Sequence, residues 1–539
     1  MKTIAATLIT TAVLGLAPHA YCAAVRDDAS LEALPEAEFD LDAARHLLMR
    51  AGFGASLEEA KAFHALGLSK LVDLLVDYED QPDVIGPFVW RRNEPLPSRR
   101  EIVNFDENER RAFRNRLRRE DRVRITELKD WWVRRMLETK RPLEERMTLF
   151  WHGHFTTSYR DVRDSKLVWL QNELLRSHAT GNFGELLHEI SRDPAMLAYL
   201  NNNQNRKGKP NENYAREVME LFSLGIGNYD EKDIKEVARA FTGWTFDRRT
   251  ARFIDARRQH DTGVKTIFGQ EGRFDGADVC DLLLAHDACA PYIAGKIFAY
   301  FAFAPDRELA GQLGRVLAAN RFEMKPLLRR IFKSRAFYSH VARGTQVKSP
   351  VVLLVSTIRT LGMPSPNGSV IAGAAARLGQ ELFGPPNVRG WEGGLAWITT
   401  SSLLERDNVC GNLVLATGIG GSMDARGRGR GIDLRALQQM LQRRRSAAQG
   451  ARGRVQPWSA CRFASSFGAT TIEELVDGLA GALLMVPLAP GTRAEILAFA
   501  RGDDGSLPVR VESLEGVDME RKLREVLHLL MSSPEFQVC

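Results

Sequence analysis

Two histidines separated by one glycine are the first residues whose types and spacing could do chemistry. His152 and His154 flank Gly153. In an extended or turn conformation, residues two apart point the same way, so both imidazoles could bind one divalent metal ion. The alternative is a pair of histidines that form hydrogen bonds at the end of a helix. Two ligands make at most half of a metal site, so we expect further ligands from other segments.

A polar strip on a predicted helix supplies candidate acids and bases. At 100° per residue, Asn213, Glu217 and Glu220 lie beside the apolar face, and Glu217 is nearest to its edge. Partial burial there would raise the pKa of this carboxyl toward the range useful for acid–base catalysis. We therefore predict these three residues to be catalytic. Arg216 is a candidate ligand-binding residue, and the alternative is an exposed salt-bridge ladder with Glu212 and Glu220.

A third group combines an imidazole, a carboxylate and an ammonium within six residues. His260 and Asp261 are adjacent, and Lys265 follows four residues later. Such a group could bind phosphate, complete a metal site or only hold a loop. We predict His260 to be a third metal ligand, Asp261 to be a catalytic residue that orients it, and Lys265 to bind the ligand.

A loop rich in proline, glycine and tryptophan covers residues 383–394. It is rigid at its prolines and permissive at its glycines, and it presents Trp391 near Trp397. Aromatic surfaces of this kind suit the stacking of sugars or peptides, although packing of two tryptophans is the commoner explanation. Asn387 and Trp391 are the candidate ligand-binding residues of this loop.

Helical periodicity dominates the elements that must position these side chains. Residues 109–138 form a long amphipathic stretch, and Ser56 with Glu59 has the pattern of a capping box. The best strand-like runs are residues 263–269 and 396–400. We predict a mainly α fold, in which one large multi-helix domain carries short β segments and a smaller helical C-terminal piece packs on it.

Composition divides the chain into four parts. We predict a signal peptide over residues 1–24, a main helical body over 25–417, a flexible Arg- and Gly-rich insertion over 418–455, and a C-terminal helical segment over 456–539. One pattern occurs twice, from Leu328 to Phe337 and from Leu527 to Phe536. A leucine is followed, at intervals of three residues, by an isoleucine or a second leucine, then by a serine and then by a phenylalanine. The two copies indicate either a duplicated helical subdomain or one packing solution used twice.

The positive charge is concentrated in two segments. The chain has 539 residues, of which 44% are hydrophobic and 26% charged, and a net charge of +6, which excludes a mainly disordered chain. Residues 110–124 contain eight arginines and residues 421–455 contain nine. A solvated helix face together with a disordered Arg-rich loop is the commoner explanation of such a pattern. The alternative is an anionic partner such as a membrane surface, a cell-wall polymer or a nucleic acid.

The N-terminal segment has the features of a secretion signal. Lys2 precedes an uncharged apolar run, and small residues allow cleavage after Ala24. We expect a periplasmic or secreted protein without a transmembrane helix, and therefore no nucleic-acid partner. Five cysteines follow the cleavage point. Cys280 and Cys289 are the first candidates for a disulfide, and burial of all five as small hydrophobic side chains is the alternative.

Taken together, these segments resemble a bacterial family called domain of unknown function 1800. The matching segments are His46 to Gly54, Phe150 to Phe155, Pro210 to Gly225, Gly243-Trp244, His260-Asp261 with Lys265, Gly384 to Gly394 and Ser533 to Phe536. The resemblance implies a large exported protein without an established activity. It also implies a candidate partner, because members are often encoded beside an exported family that resembles sulfatases and phosphatases.

These observations leave three hypotheses. The first is a metal-dependent, hydrolytic enzyme that acts on an extracytoplasmic polymer, with a divalent metal as its cofactor. The second is a non-catalytic envelope scaffold that binds an anionic polymer or a partner protein, and the third is a nucleic-acid binder. We expect an enzyme to bring His152, His154, Glu217 and His260 into one concave pocket, and a scaffold to leave them dispersed.

Overall fold

The computed structural model describes residues 30–91, 99–415, 458–501 and 514–539. The predicted signal peptide and the predicted 418–455 insertion lie outside these ranges, and the four-part division stays a prediction. Within the described residues the protein is mainly α-helical with short β segments, which confirms the predicted fold class. No helix in these ranges is both long and apolar enough to span a bilayer.

The N-terminal half of the described chain contains twelve α-helices before the first strand. They are α1 (Leu41–Ala51), α2 (Leu57–His64), α3 (Leu68–Val76), α4 (Arg99–Asn104), α5 (Glu107–Glu138), α6 (Pro142–His154), α7 (Tyr159–Val162), α8 (Ser165–Ser177), α9 (Phe183–Arg192), α10 (Pro194–Tyr199), α11 (Glu212–Glu220) and α12 (Glu231–Ala240).

Two antiparallel hairpins separate these helices from the rest. The first pairs β1 (Trp244–Asp247) with β2 (Arg252–Asp255), and the second pairs β3 (Lys265–Ile267) with β4 (Gln270–Gly272). The second hairpin confirms the strand predicted within residues 263–269. Neither hairpin is part of a larger sheet, so helix packing alone builds the body of the molecule.

The remaining described residues form twelve further helices. They are α13 (Gly276–Ala285), α14 (Cys289–Phe301), α15 (Arg307–Ala319), α16 (Met324–Phe332), α17 (Arg335–Tyr338), α18 (Pro350–Thr360), α19 (Gly368–Arg377), α20 (Thr400–Val414), α21 (Ala460–Ser465), α22 (Ile472–Leu483), α23 (Pro490–Arg501) and α24 (Val517–Ser532).

Local capping chemistry sets several helix boundaries. The Ser56 hydroxyl accepts a hydrogen bond from the Glu59 amide, and the Glu59 carboxylate accepts one from the Ser56 amide, which confirms the predicted capping box. The strand predicted over residues 396–400 is wrong. A 3₁₀ turn occupies Gly394–Trp397, and Thr399 caps α20 through the Ser402 amide. The local cap therefore overrides the alternating pattern.

Buried side chains form two cores. The first contains Trp151 and Phe298 and joins α1, α3 and α6 with helices α9 through α17. The second contains Trp132 and Leu527 and joins the C-terminal half of α5 with helices α18 through α24. Helix α6 contributes side chains to both cores, so different faces of this helix pack in different surroundings. The first buried residue of α5 is Ile125, and the N-terminal half of this helix lies on the surface.

Two arginines of α1 bind the carboxyl ends of two other helices. The Arg50 guanidinium donates to the carbonyls of Phe301 (2.7 Å) and Ala302 (2.6 Å) at the end of α14. The Arg45 guanidinium donates to the carbonyls of Ala482 (3.0 Å) and Leu484 (2.9 Å) at the end of α22. Both contacts place a cation where helix carbonyls lack partners, so α1 joins the two cores.

The repeated Leu–Ser–Phe pattern has the same structure in both copies. Ser334 follows α16 and accepts a hydrogen bond from the Phe337 amide, while Ser533 follows α24 and accepts one from the Phe536 amide. Both phenylalanines are buried. Each copy is therefore a helix that ends at a serine and is anchored by a phenylalanine, as the pattern predicts.

The predicted disulfide between Cys280 and Cys289 is wrong. Both thiols are free and buried, as are those of Cys410, Cys461 and Cys539. The Cys280 sulfur instead contacts the Ser191 hydroxyl at 3.5 Å inside the first core. Burial raises the pKa of the Cys280 and Cys289 thiols to about 12, so both behave as small apolar side chains.

Gly368→Ala is expected to lower the free energy of unfolding by about 1–3 kcal/mol. Helix α19 crosses α5 at this residue, where a Cβ would lie 2.3 Å from the Asp130 carbonyl oxygen. Backbone atoms cannot yield locally, so the two helices must separate. Urea denaturation followed by circular dichroism measures the change.

Gly373→Ala on the same helix is the matched control, because a Cβ there meets no atom within 4 Å. The control should gain about 0.5–1 kcal/mol from helix propensity. Equal effects of the two substitutions would contradict the close crossing.

Candidate functional site

The two histidines of the His-Gly-His segment do not share one environment. The predicted extended conformation is wrong, because α6 continues through His154 and places residues two apart about 200° from each other. The His152 Nε2 accepts a hydrogen bond from the Phe383 amide at 3.1 Å, and the His154 Nε2 donates to the Phe222 carbonyl at 3.1 Å. Burial lowers the pKa of His152 to about 3 and that of His154 well below its usual value.

His260 lies at a third location. It follows a 3₁₀ turn, Arg257–Gln259, and its Nδ1 donates to the Thr242 carbonyl at 3.0 Å. Each predicted metal-binding histidine thus holds a different backbone group. Within the described ranges, no group of three or more His, Cys, Asp or Glu side chains is placed to hold a metal ion. The predicted residues do not fit a shared divalent metal.

Asp261 and Lys265 form part of a local ion-pair network. The Asp261 carboxylate accepts from the Arg239 guanidinium at 3.0 Å, and this contact lowers the pKa of Asp261 to about 2. The Lys265 ammonium donates to the carbonyls of Asp261 (2.6 Å) and Gly263 (3.2 Å), and Lys265 itself is buried. Both side chains stabilise the turn that leads into β3. This agrees with the interpretation that the group holds a loop.

The carboxylates of α11 face a polar surface formed by three other elements. Glu220 accepts hydrogen bonds from the Tyr229 hydroxyl at 2.8 Å and from the Arg389 guanidinium at 3.4 Å. Glu217 is half-buried, and its carboxylate has no hydrogen bond or ion pair with the residues that the structure describes. Burial and the Glu220 charge raise the pKa of Glu217. The α11 surface therefore combines the accessible carboxyl of Glu217 with the basic side chain of Arg389.

The other polar residues of α11 have structural roles. Arg216 pairs with Glu231 at 3.0 Å and with Glu212 at 3.6 Å on the exposed face. The salt-bridge alternative is thus correct for Glu212, whereas Glu220 bonds to Arg389 instead of Arg216. Asn213 is exposed in the first turn, where its amide donates to the Asn211 side chain at 3.0 Å. Among the described residues, neither side chain forms a hydrogen bond or an ion pair with Glu217.

The proline- and glycine-rich loop lies against the end of α6. A Cβ on Gly390, whose φ is +80°, would lie 2.5 Å from the Gly153 carbonyl oxygen, so only glycine fits this approach. The loop places the Trp391 ring 5.7 Å from the His152 ring. The Asn387 carbonyl oxygen of the side chain accepts from the Arg389 amide at 2.8 Å, which turns the loop so that Arg389 reaches Glu220.

Sequence reasoning missed several members of the α11 surface. Tyr292 of α14 donates to the Leu221 carbonyl at 2.9 Å, and the Lys296 ammonium lies 3.5 Å from the Tyr292 hydroxyl. Burial lowers the pKa of Lys296 to about 8. A Tyr and a Lys four residues apart on a predicted helix are the one signal that could have found this pair.

A second polar feature lies where the exposed half of α5 meets α7. A cavity of about 500 Å³ opens between these helices and the segment that contains Trp90. Its lining includes two aromatic side chains, Trp90 and Tyr159, and three acids, Glu120, Asp121 and Asp164. The six basic residues of this arginine cleft are Arg91, Arg118, Arg122, Arg124, Arg160 and Arg163.

Two of the three acids of the arginine cleft serve the fold, whereas four of its six arginines form no ion pair with a described carboxylate. Asp121 accepts from the Tyr159 hydroxyl at 2.7 Å and from the Ser165 amide at 2.8 Å, and Asp164 caps α8. Arg160 pairs with Glu381 and Arg124 with Glu127. No carboxylate among the described residues pairs with the other four arginines, which are Arg91, Arg118, Arg122 and Arg163.

Comparison with known proteins assigns the chain to a family but not to an activity. No curated protein matches the sequence significantly, and no solved structure does. One family model, described as a protein of unknown function (DUF1800), matches residues 46–538, which is nearly the whole chain. The chain therefore belongs to the DUF1800 family.

Proposed function

We propose that this protein is a non-catalytic scaffold outside the cytoplasm that binds an anionic polymer in the arginine cleft. The observation that carries the proposal is the cavity of about 500 Å³ in which four arginines lack a carboxylate partner among the described residues. Like charges that share one concave surface repel each other, and a bound polyanion would relieve that repulsion. Guanidinium groups also match the geometry of carboxylate and phosphate oxygens.

The dispersal of the predicted metal ligands favours the scaffold over the hydrolase. His152, His154 and His260 each bind a separate backbone group, so a metal-dependent reaction has no coordination sphere in the described residues. Binding, rather than hydrolysis, is the activity that the geometry supports.

Two sequence features support the location and the partner class. The predicted signal peptide over residues 1–24 would carry the protein out of the cytoplasm, where acidic cell-wall polymers are available. The family resemblance adds an exported protein similar to sulfatases or phosphatases as a candidate second partner. The predicted signal peptide also argues against a nucleic-acid partner.

Replacing Arg118 and Arg122 together with glutamine is expected to weaken binding of polygalacturonate roughly 2- to 30-fold, because two exposed ion pairs are worth ~0.2–1 kcal/mol each. Isothermal titration of the full chain at low salt measures the dissociation constant. Binding by the unsubstituted protein should also weaken as salt is added, since the contacts are solvent-exposed.

Replacing Arg257 and Arg258 together with glutamine is the control for net charge, because it also removes two charges. Both residues are exposed in the turn that follows β2, and neither lines the cleft. This variant should bind as the unsubstituted protein does. Equal losses in the two variants would show that binding depends only on overall charge, and undiminished binding by the double variant would reject the cleft.

A further inference from the structure

Four exposed arginines form a stripe along α5 that leads into the arginine cleft. Arg111, Arg114, Arg118 and Arg122 follow each other at three- or four-residue intervals. At 100° per residue they fall within an arc of about 80° on one side of the helix. None of them has a carboxylate partner among the described residues. We call this row the arginine stripe.

The arginine stripe is exposed because α5 has no buried residue before Ile125. A helix of ordinary amphipathic design would use this length to bury an apolar face. Here the N-terminal half of α5 instead carries uncompensated cations along about 16 Å of helix, at a rise of 1.5 Å per residue. Its two C-terminal members, Arg118 and Arg122, also line the cavity, so the stripe and the cleft form one continuous surface.

We propose that the arginine stripe and the arginine cleft together bind one linear acidic polysaccharide. This inference rests on the proposed function and specifies its ligand. Neighbouring stripe positions lie about 5–6 Å apart, which is of the order of one sugar ring in a chain with a carboxylate on each unit. A single small anion cannot contact charges that are distributed over this length.

The aromatic side chains of the cleft favour a sugar polymer over a chain of phosphates. Trp90 and Tyr159 both line the cavity and are half-buried. The Trp90 indole N–H is already bonded to Ser165 at 3.1 Å, and the Tyr159 hydroxyl to Asp121. These bonds hold both rings in place. The Lys166 ammonium lies 5.9 Å from the centroid of the Trp90 ring, and the Tyr159 ring supplies apolar surface that suits the apolar face of a sugar ring.

The test compares oligogalacturonates of different lengths on the full chain. Replacing Arg111 and Arg114 with glutamine should weaken binding of long oligomers roughly 2- to 30-fold, because two exposed ion pairs are lost. Binding of a trisaccharide, which occupies the cleft alone, should not change. Replacing Arg118 and Arg122 should weaken binding of both lengths. Arg119→Gln, on the same helix but outside the stripe, is the control and should change neither.

The outcomes separate this inference from the proposed function. Equal affinity of the unsubstituted protein for the trisaccharide and for long oligomers would overturn the stripe while leaving cleft binding intact. Tighter binding of polyphosphate than of oligogalacturonate at equal charge would overturn the polysaccharide assignment. Absence of binding of both oligogalacturonate and polyphosphate at every length would reject the proposed function itself.

Discussion

Replacing His152 with asparagine is expected to remove an acid-sensitive part of the free energy of unfolding. His152 is buried against Trp132 and Phe383, and burial lowers its pKa to about 3 from an ordinary value near 6.5. Between these two pH values only the unfolded chain takes up the proton, so acid favours unfolding. The unsubstituted protein's advantage over the variant in free energy of unfolding should therefore shrink by about 1.4 kcal/mol per pH unit below 6.5.

Urea denaturation at pH 7.5, 6.5 and 5.5 measures this change. The difference between the two proteins is the correct quantity, because burial raises the pKa of Glu144 and Asp193 to about 7, and these groups favour the folded state as the pH falls. Arg258→Gln, a substitution at an exposed position, is the control and should keep a constant difference. A constant difference for the His152 variant as well would contradict its burial as a neutral imidazole.

Glu145→Gln is expected to lower the free energy of unfolding by about 3–5 kcal/mol, because it removes one member of a buried ion network. The Glu145 carboxylate is fully buried and accepts from Arg135 (2.6 Å), Arg176 (2.9 Å) and the Trp132 indole (2.9 Å). The neutral amide leaves the buried guanidinium groups of Arg135 and Arg176 with less negative charge beside them. Chemical denaturation at pH 7 measures the loss.

Glu138→Gln is the matched control on a neighbouring segment. Glu138 forms a partly exposed pair with Arg134 at 3.8 Å, and such pairs contribute less than about 1 kcal/mol. A loss below 1 kcal/mol in the Glu145 variant would show that Asp83 and Glu144, which also pair with Arg135, are sufficient to compensate the network.

The features that the sequence predicts correctly depend on neighbours in the chain. Ser56 and Glu59 satisfy each other within one helical turn, and the serines before Phe337 and Phe536 act over three residues. The mainly α class follows from periodicity over single helices. These interactions need no tertiary information, so residue types and spacing are sufficient to identify them.

The errors have a common physical origin in contacts between distant segments. The environment of His152 is set by Phe383, which lies 231 residues away, and that of His154 by Phe222, 68 residues away. The Glu217 surface depends on Arg389 and on α14, which no local pattern connects to α11. Conversely, the arginines of α5 were evident as a charge cluster, but only the packing of α7 and Trp90 turns part of that cluster into a cavity.

The arginine contacts of α1 have a consequence for biosynthesis. Arg45 bonds to carbonyls that lie 437 and 439 residues later in the chain. At a synthesis rate of ~5–20 residues per second, roughly 20 to 90 s separate the two partners on the ribosome. During that interval the apolar side chains of α1, including Leu47 and Leu48, lack part of their final surroundings. The first α-helix of the described residues is thus among the last to complete its docking, and its apolar side chains are exposed to aggregation for that interval.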